Sequence, residues 1–418
     1  MRISRLHVIA GAALLLALAS CTTPTPPPPL PTPTLSPAGP LTARVGSHVL
    51  FEGQNLDGTV EWSVNDVVGG SPATGTIAAG DYQAPARVPT DRVVTVAAAL
   101  AANPARRASA QVTVTAPGTL YVLDNGVYVY NDMDSADGDI APDRTFDIDG
   151  LEASDEYYKL VVAPARDAAF IGIQRTGVNV FRIDGVSNAS GTVTATGFSS
   201  LGHENPSGMA YDAERDILYV AFSYVLVAYD RASVAAEGKE PDRVLEGPTV
   251  AGLIDEYDTR LNLDAPNDRL FVSNPNGQVG VYDNASTIVG DTGPDRLVAL
   301  DSPASYLWGA AYDPRRDELY LADQSNFGVY VIAGVSSIDG MVLFARNITG
   351  PATQFVGPSE VSYDVANDRL VVIDADADDV KVFDAASTLD GDVAPSRIIG
   401  GTLLPIVYPY GGYLDPSQ

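Results

Sequence analysis

A unit of 49–52 residues recurs along most of this 418-residue chain, and no other feature restricts the fold so tightly. A Tyr-Asp step opens it at Tyr211-Asp212, Tyr312-Asp313 and Tyr363-Asp364, with a variant at Leu263-Asp264; the aspartates lie 52, 49 and 51 residues apart. One more step of 51 reaches Leu414-Asp415, where a first strand stands with no unit behind it. The unit beginning at Gly118 shows only three strands, over 119–124, 126–131 and 143–150. A ring of blades explains both ends at once if 411–416 pairs beside 119–124. Such closure leaves no open sheet edge.

Five further units follow the first, each with four short apolar runs. In the clearest of them these lie at 208–212, 217–222, 226–230 and 242–247. In the second unit they are 158–164, 168–174, 178–183 and 191–199, and in the fifth the outer strand is expected over 343–350. The 38 glycines and 20 tyrosines suit many short strands and tight turns. A Pro-Asp-Arg step recurs at 142–144, 241–243 and 294–296, with Pro395-Ser396-Arg397 as its fourth copy. Its proline fits an edge strand, and its arginine reads as structural, paired with a turn carboxylate. The balance of 53 acidic to 25 basic residues repels phosphate backbones and argues against nucleic acid as a partner.

At the N-terminus Arg2 and Arg5 precede an apolar run over 8–19, too short to span a bilayer. The run ends in Leu18-Ala19-Ser20-Cys21, which resembles a bacterial lipobox. The resemblance implies a signal peptide over 1–20 and lipidation of Cys21, a membrane anchor and an extracytoplasmic location, with the outer membrane open to it in a diderm host. Cys21 is the chain's single cysteine, so no internal disulfide is available. Residues 22–40 hold nine prolines and read as a polyproline-II stalk.

Residues 41–117 alternate apolar and polar positions in short runs and read as a small β-sandwich. The pattern Trp62-Ser63-Val64-Asn65, Gly69-Gly70, Gly75-x-Ile77 and Gly80-x-Tyr82-x-Ala84-Pro85 resembles bacterial immunoglobulin-like (Big-type) surface modules, with Trp62 as the core aromatic. From 118 to 418 the four-strand units resemble six-bladed β-propellers of the NHL and gluconolactonase-like group, most closely at 318–332 (ELYLADQSNFGVYVI). The expected fold is therefore all-β: a small β-sandwich, then a six-bladed β-propeller closed by the C-terminal strand.

Strand parity places two sets of loops on one face, those leading into each inner strand and those between the second and third strands. The first set carries Glu156-Tyr157, Glu204-Asn205 after His203, Glu256-Tyr257, Tyr306 and Trp308, Glu360, and Tyr410. The second carries Asp323, Asn326, Asp374 and Asp376. Small residues such as Gly208, Ala210, Gly309, Ala311 and Gly411 are expected to wall the channel beneath. Carboxylates and amides among aromatic rings suit a protein or glycan partner. Hard oxygen donors without thiols suit Ca²⁺, with Asp323, Asn326, Asp374 and Asp376 as candidate ligands. No nucleophile elbow, phosphate loop or His-rich metal motif is present. The reading is a lipid-anchored envelope protein whose propeller binds or scaffolds a protein, glycan or cation. The alternative is a Ca²⁺-dependent lactonase or hydrolase at the channel mouth.

Overall fold

A computed structural model describes residues 29–89, 91–152, 154–175, 177–255, 258–301 and 306–417. The expected signal peptide and the expected lipidation site Cys21 lie outside the described residues, as do Glu256 and Tyr257.

The first part of the chain forms two facing sheets. One has five strands, in the order Leu41–Arg44, Asn103–Thr115, Val93–Leu100, Val60–Val64 and Val67–Val68. The other has four, in the order His48–Leu50, Asp81–Gln83, Gly75–Ala78 and Gly70–Ser71. Alternating Val64, Val94, Val96, Val112 and Val114 point between them and close a core with Phe51 and Tyr82. Tyr82, fully buried, is the central aromatic. Trp62, expected there, packs at the margin of the core and is half-buried. The packed chain also starts earlier than 41: Thr34–Ser36 pairs antiparallel with Glu52–Gln54 and buries Leu35. The end of the Pro-rich stretch is thus part of the sheet structure rather than of a stalk.

Six sheets follow, and the ring closes as the repeat requires. The last strand, Gly411–Asp415, pairs antiparallel with Thr119–Leu123, from Thr119↔Asp415 to Leu123↔Gly411. The other five inner strands are Glu156–Ala163, Gly208–Asp212, Arg260–Asp264, Leu307–Asp313 and Pro358–Asp364. We number the blades one to six from the sheet containing Thr119–Leu123.

The repeating Tyr-Asp step has a local cause. The aspartate ends the inner strand and caps the next turn: Asp212 Oδ1 accepts from the amides of Glu214 and Arg215, and Asp364 Oδ1 from Ala366 and Asn367. The tyrosine hydroxyl donates to a second aspartate five residues on, in the pairs Tyr211–Asp216, Tyr312–Asp317 and Tyr363–Asp368. That second aspartate has positive φ and accepts from the amide and hydroxyl of a serine after the third strand: Ser233, Ser336 and Ser387 respectively. Asp167–Ser187 and Asp268–Ser286 repeat the clasp. Blades two to six are therefore each pinned by side chains as well as by their ladders.

The Pro-Asp-Arg arginines are structural. Arg296 holds Asp283 through two nitrogens at 2.8 and 2.9 Å, and Arg243 holds Asp230 at 2.5 Å while reaching the next blade's Ala285 carbonyl. Arg144 instead donates to two carbonyls, of Val186 and Ala189.

One outer strand departs from expectation, and one further strand was not expected. Gly191–Val193, expected in blade two, pairs parallel with blade one's outer strand, and Thr196–Phe198 takes its place. Gly340–Val342, outside any expected run, joins blade four, and Arg346–Thr349 forms blade five's outer strand within the expected 343–350. Elsewhere the contact is a single bridge or hydrogen bond, at Phe198↔Lys239, Ile348↔Gly391, Gly138↔Ile399 and Gly290 N to Val244 O. Each blade thus covers the exposed edge of the one before it.

Candidate functional site

The position four residues before the end of each inner strand alternates around the ring. It is Gly411 in blade one, Lys159 in two, Gly208 in three, Arg260 in four, Gly309 in five and Glu360 in six. Three long charged side chains from alternate blades thus meet near the axis, and glycines separate them. The glycines let neighbouring inner strands converge. A Cβ would lie 2.6 Å from Thr259 O at Gly208, 2.7 Å from Glu360 Cα at Gly309 and 2.7 Å from Tyr158 O at Gly411.

The charged groups are buried, with Lys159, Arg260 and Glu360 only 5–6% exposed. Lys159 Nζ donates to Glu360 Oε2 across the channel. Burial, reinforced by the neighbouring Arg260 charge, pulls the Lys159 ammonium well below its ordinary value. Arg260 Nη1 donates to the carbonyls of Ser207 (2.8 Å) and Thr259 (3.2 Å). Its Nε lies 3.9 Å from Glu360 and its Nη2 4.0 Å from Asp258. Asp258 is also buried and is held by the Tyr306 hydroxyl at 2.6 Å and by the Trp308 indole N–H.

Above this layer five rings run in contact across the mouth. Tyr158 stacks on Tyr410 at 5.6 Å, Tyr410 meets Tyr408 edge-on at 5.5 Å, Tyr408 meets Trp308 at 5.9 Å, and Trp308 meets Tyr306 at 6.0 Å. Gln324 ties the Tyr408 hydroxyl down at 3.1 Å. Below the charged layer lies a cavity of about 240 Å³, walled by Val161, Met209, Ala310, Val361, Gly412 and Leu414 among others.

Exposed apolar side chains occur at both ends of the propeller, and the exposed aromatic rings among the described residues are on the mouth face. Tyr224, Tyr306 and Phe327 are 36–51% exposed there. Val178, Leu201, Val356, Leu403 and Val407 are exposed on the same loops. Its solvent-facing charges are acidic, among them Glu152, Glu156, Glu204, Glu246, Asp376 and Asp378. Arg175 is the single lysine or arginine in these loops, and it lies 3.3 Å from Asp155.

The expected mouth residues are distributed as follows. Tyr306, Trp308 and Tyr410 join one aromatic run. Glu156 and Glu204 are exposed on the rim, and Asn205 turns in to Ser223 Oγ at 3.3 Å. Tyr157 is not at the mouth: it is buried between blades one and two, with its hydroxyl donating to Asp147. Strand alternation sends its neighbour Tyr158 to the mouth instead. Glu360 lies below the mouth, bound to Lys159. His203 packs against Phe222 at 6.1 Å, away from the charged layer.

The proposed calcium ligands make the following contacts within the protein. Asp323 Oδ1 accepts from the amides of Ser325 and Asn326, and its Oδ2 from the Asn326 side-chain amide. Asp374 accepts from the Val356 and Gly357 amides and from Lys381 Nζ at 2.9 Å; that ammonium repels a cation. Asp376 is exposed beside Gly357. Among the described residues no group of three or more His, Cys, Asp or Glu is arranged to hold a metal.

Lys159, Arg260 and Asp258 were not among the expected site residues. The signal was present: aligning the units on their terminal aspartates shows the Gly/charged alternation directly.

No protein-family model matches the chain, and no curated protein matches it. Among solved structures the chain is similar to one in the crystal structure of a nidogen/laminin complex, with a TM-score of 0.50 and 12% identity over 71% of this chain and 97% of that one. At that identity the likeness speaks to fold alone. The molecule is an all-β protein of the β-propeller class.

Proposed function

We propose that this chain is a binding module of the bacterial envelope, anchored through lipidated Cys21, with the propeller's mouth face docking a protein partner. One observation carries the reading: exposed apolar and aromatic side chains gather on that face, around a five-ring run and inside an acidic rim. Contiguous apolar surface with polar borders is the usual composition of a protein interface, and aromatics supply its anchors. The acidic rim selects a partner whose surface is basic around an apolar centre. The similar solved propeller comes from a nidogen/laminin complex, so this fold occurs within a protein–protein assembly. The sandwich, immunoglobulin-like in its sequence pattern, and the Pro-rich segment before it act as the spacer between anchor and propeller.

The test is capture from envelope extracts with the full chain as bait, followed by affinity measurement on the captured protein. Tyr306→Ala and Phe327→Ala are each expected to weaken binding about tenfold, and added salt to slow association. Equal affinity for both variants and the parent would rule out the mouth face as the docking surface.

A further inference from the structure

Arg260 is the least satisfied charged group in the channel. Its Nη1 is bonded to two carbonyls, but its Nε is buried and has no hydrogen-bond partner among the described residues. The two carboxylates nearest its Nε–Nη2 edge stand off at 3.9 and 4.0 Å. Neither is free to close in: Glu360 is held by Lys159, and both Asp258 oxygens are taken by Tyr306 and Trp308. The Nε–Nη2 edge of a guanidinium is a planar two-donor fork matched to a carboxylate. Arg260, Lys159 and Glu360 all line the cavity of about 240 Å³, whose other walls mix aliphatic side chains such as Val161, Met209 and Val361 with Asn262, Ser362 and three tyrosines.

We propose that this cavity is a binding site for a small carboxylate, seated on the Nε–Nη2 edge of Arg260 with its apolar end against Val161, Met209 and Val361. Pockets for drug-sized ligands run to about 300–1,000 Å³, so the occupant is smaller than these. The alternation of charged side chains with glycine is what creates the site: Lys159 neutralises Glu360 and leaves the second cation with spare donors. The site lies below the mouth and is independent of the docking proposed above.

The experiment uses the full chain carrying Trp62→Phe, which leaves Trp308, bonded to Asp258 beside Arg260, as the only tryptophan. Acetate, propionate and butyrate are titrated at constant ionic strength against acetamide and chloride, with tryptophan fluorescence and melting temperature as readouts. At least one carboxylate is expected to give a saturable fluorescence change and a rise in Tm, with none from acetamide or chloride. Arg260→Lys, which keeps the charge and removes the fork, is expected to weaken the response at least tenfold. Should that variant fail to fold, the carboxylate-against-acetamide comparison on the parent chain decides alone. A flat response to all three carboxylates, or an equal response to acetamide, overturns the proposal.

Discussion

Lys159 and Glu360 are 201 residues apart in sequence and meet as a buried pair at the channel axis. Two charges out of water are tolerated only while each has the other. Glu360→Gln is therefore expected to cost about 3–5 kcal/mol in urea denaturation, because Lys159 is left buried beside Arg260 without the carboxylate that supports its charge. Lys159→Met added to Glu360→Gln should recover most of that loss, since the stranded charge goes with it. A single variant as stable as the parent would mean that the pair is not maintained. The residue scale is also where the sequence was hardest to read. Glu360 was legible as a loop carboxylate but not as a buried one, because its partner comes from four blades away. Asp323 and Asp374 carry the residue types of a calcium site. Their contacts are made with nearby amides and with Lys381, which residue type alone does not encode. Tyr157 and Tyr158 differ by one step of strand parity, and a bulge in the pairing between Tyr157 and Lys159 decides which ring meets the mouth.

Elements were far more legible, because their signals are local and repeated. The terminal aspartate closes a turn within three residues, and the tyrosine before it reaches a carboxylate five residues on, so each copy carries its own cause. The expected closing strand could be placed from spacing alone for the same reason. The edge-covering strands Gly191–Val193 and Gly340–Val342 escaped, since they pair with the preceding blade and leave no mark in their own unit's pattern. The inner-strand glycines show how tightly neighbouring units are packed. At Gly208, Gly309 and Gly411 the added carbon would meet backbone atoms of the next inner strand at 2.6–2.7 Å, and backbone cannot rotate away as a side chain can. Substitution of any one by alanine is expected to cost about 1–3 kcal/mol by chemical denaturation. Gly177→Ala is the control for space: a Cβ there meets nothing within 4 Å, and its cost reflects only the positive φ of 91°. If the three inner-strand variants lose no more than the control, the strands are not in close contact at the axis.

At the scale of the whole molecule the two-sheet module contacts the ring at its seam. Arg87 reaches Asp167 at 3.0 Å and the buried Asp415 of the closing strand at 3.4 Å, and the Val88 amide donates to Ser417 O at 2.9 Å. Arg44 pairs with Asp134 of blade one, which also holds Arg369 of blade six at 2.7 Å. Arg369 in turn donates to Pro117 O, and Asn367 to Ala116 O, where the module runs into the propeller. A ring closed by one five-residue strand is weakest at that strand, because its release needs no other blade to unfold. Apart from Arg87–Asp167, which reaches blade two, these contacts lie where the first and last blades meet, and they oppose that release. Arg87→Ala is therefore expected to speed amide hydrogen exchange in Gly411–Asp415 and its partner Thr119–Leu123, and near Asp167 of blade two, with blades three to six unchanged. The loss of one charged contact to a buried carboxylate corresponds to about 1.5–3 kcal/mol locally, or a fall in Tm of a few degrees at most. Arg107→Ala removes an exposed pair with Asp66, within the module and away from the ring, and should leave exchange at the seam as it was. Uniform exchange across all six blades in Arg87→Ala would show that the module is a passive neighbour and that the closing strand holds without it.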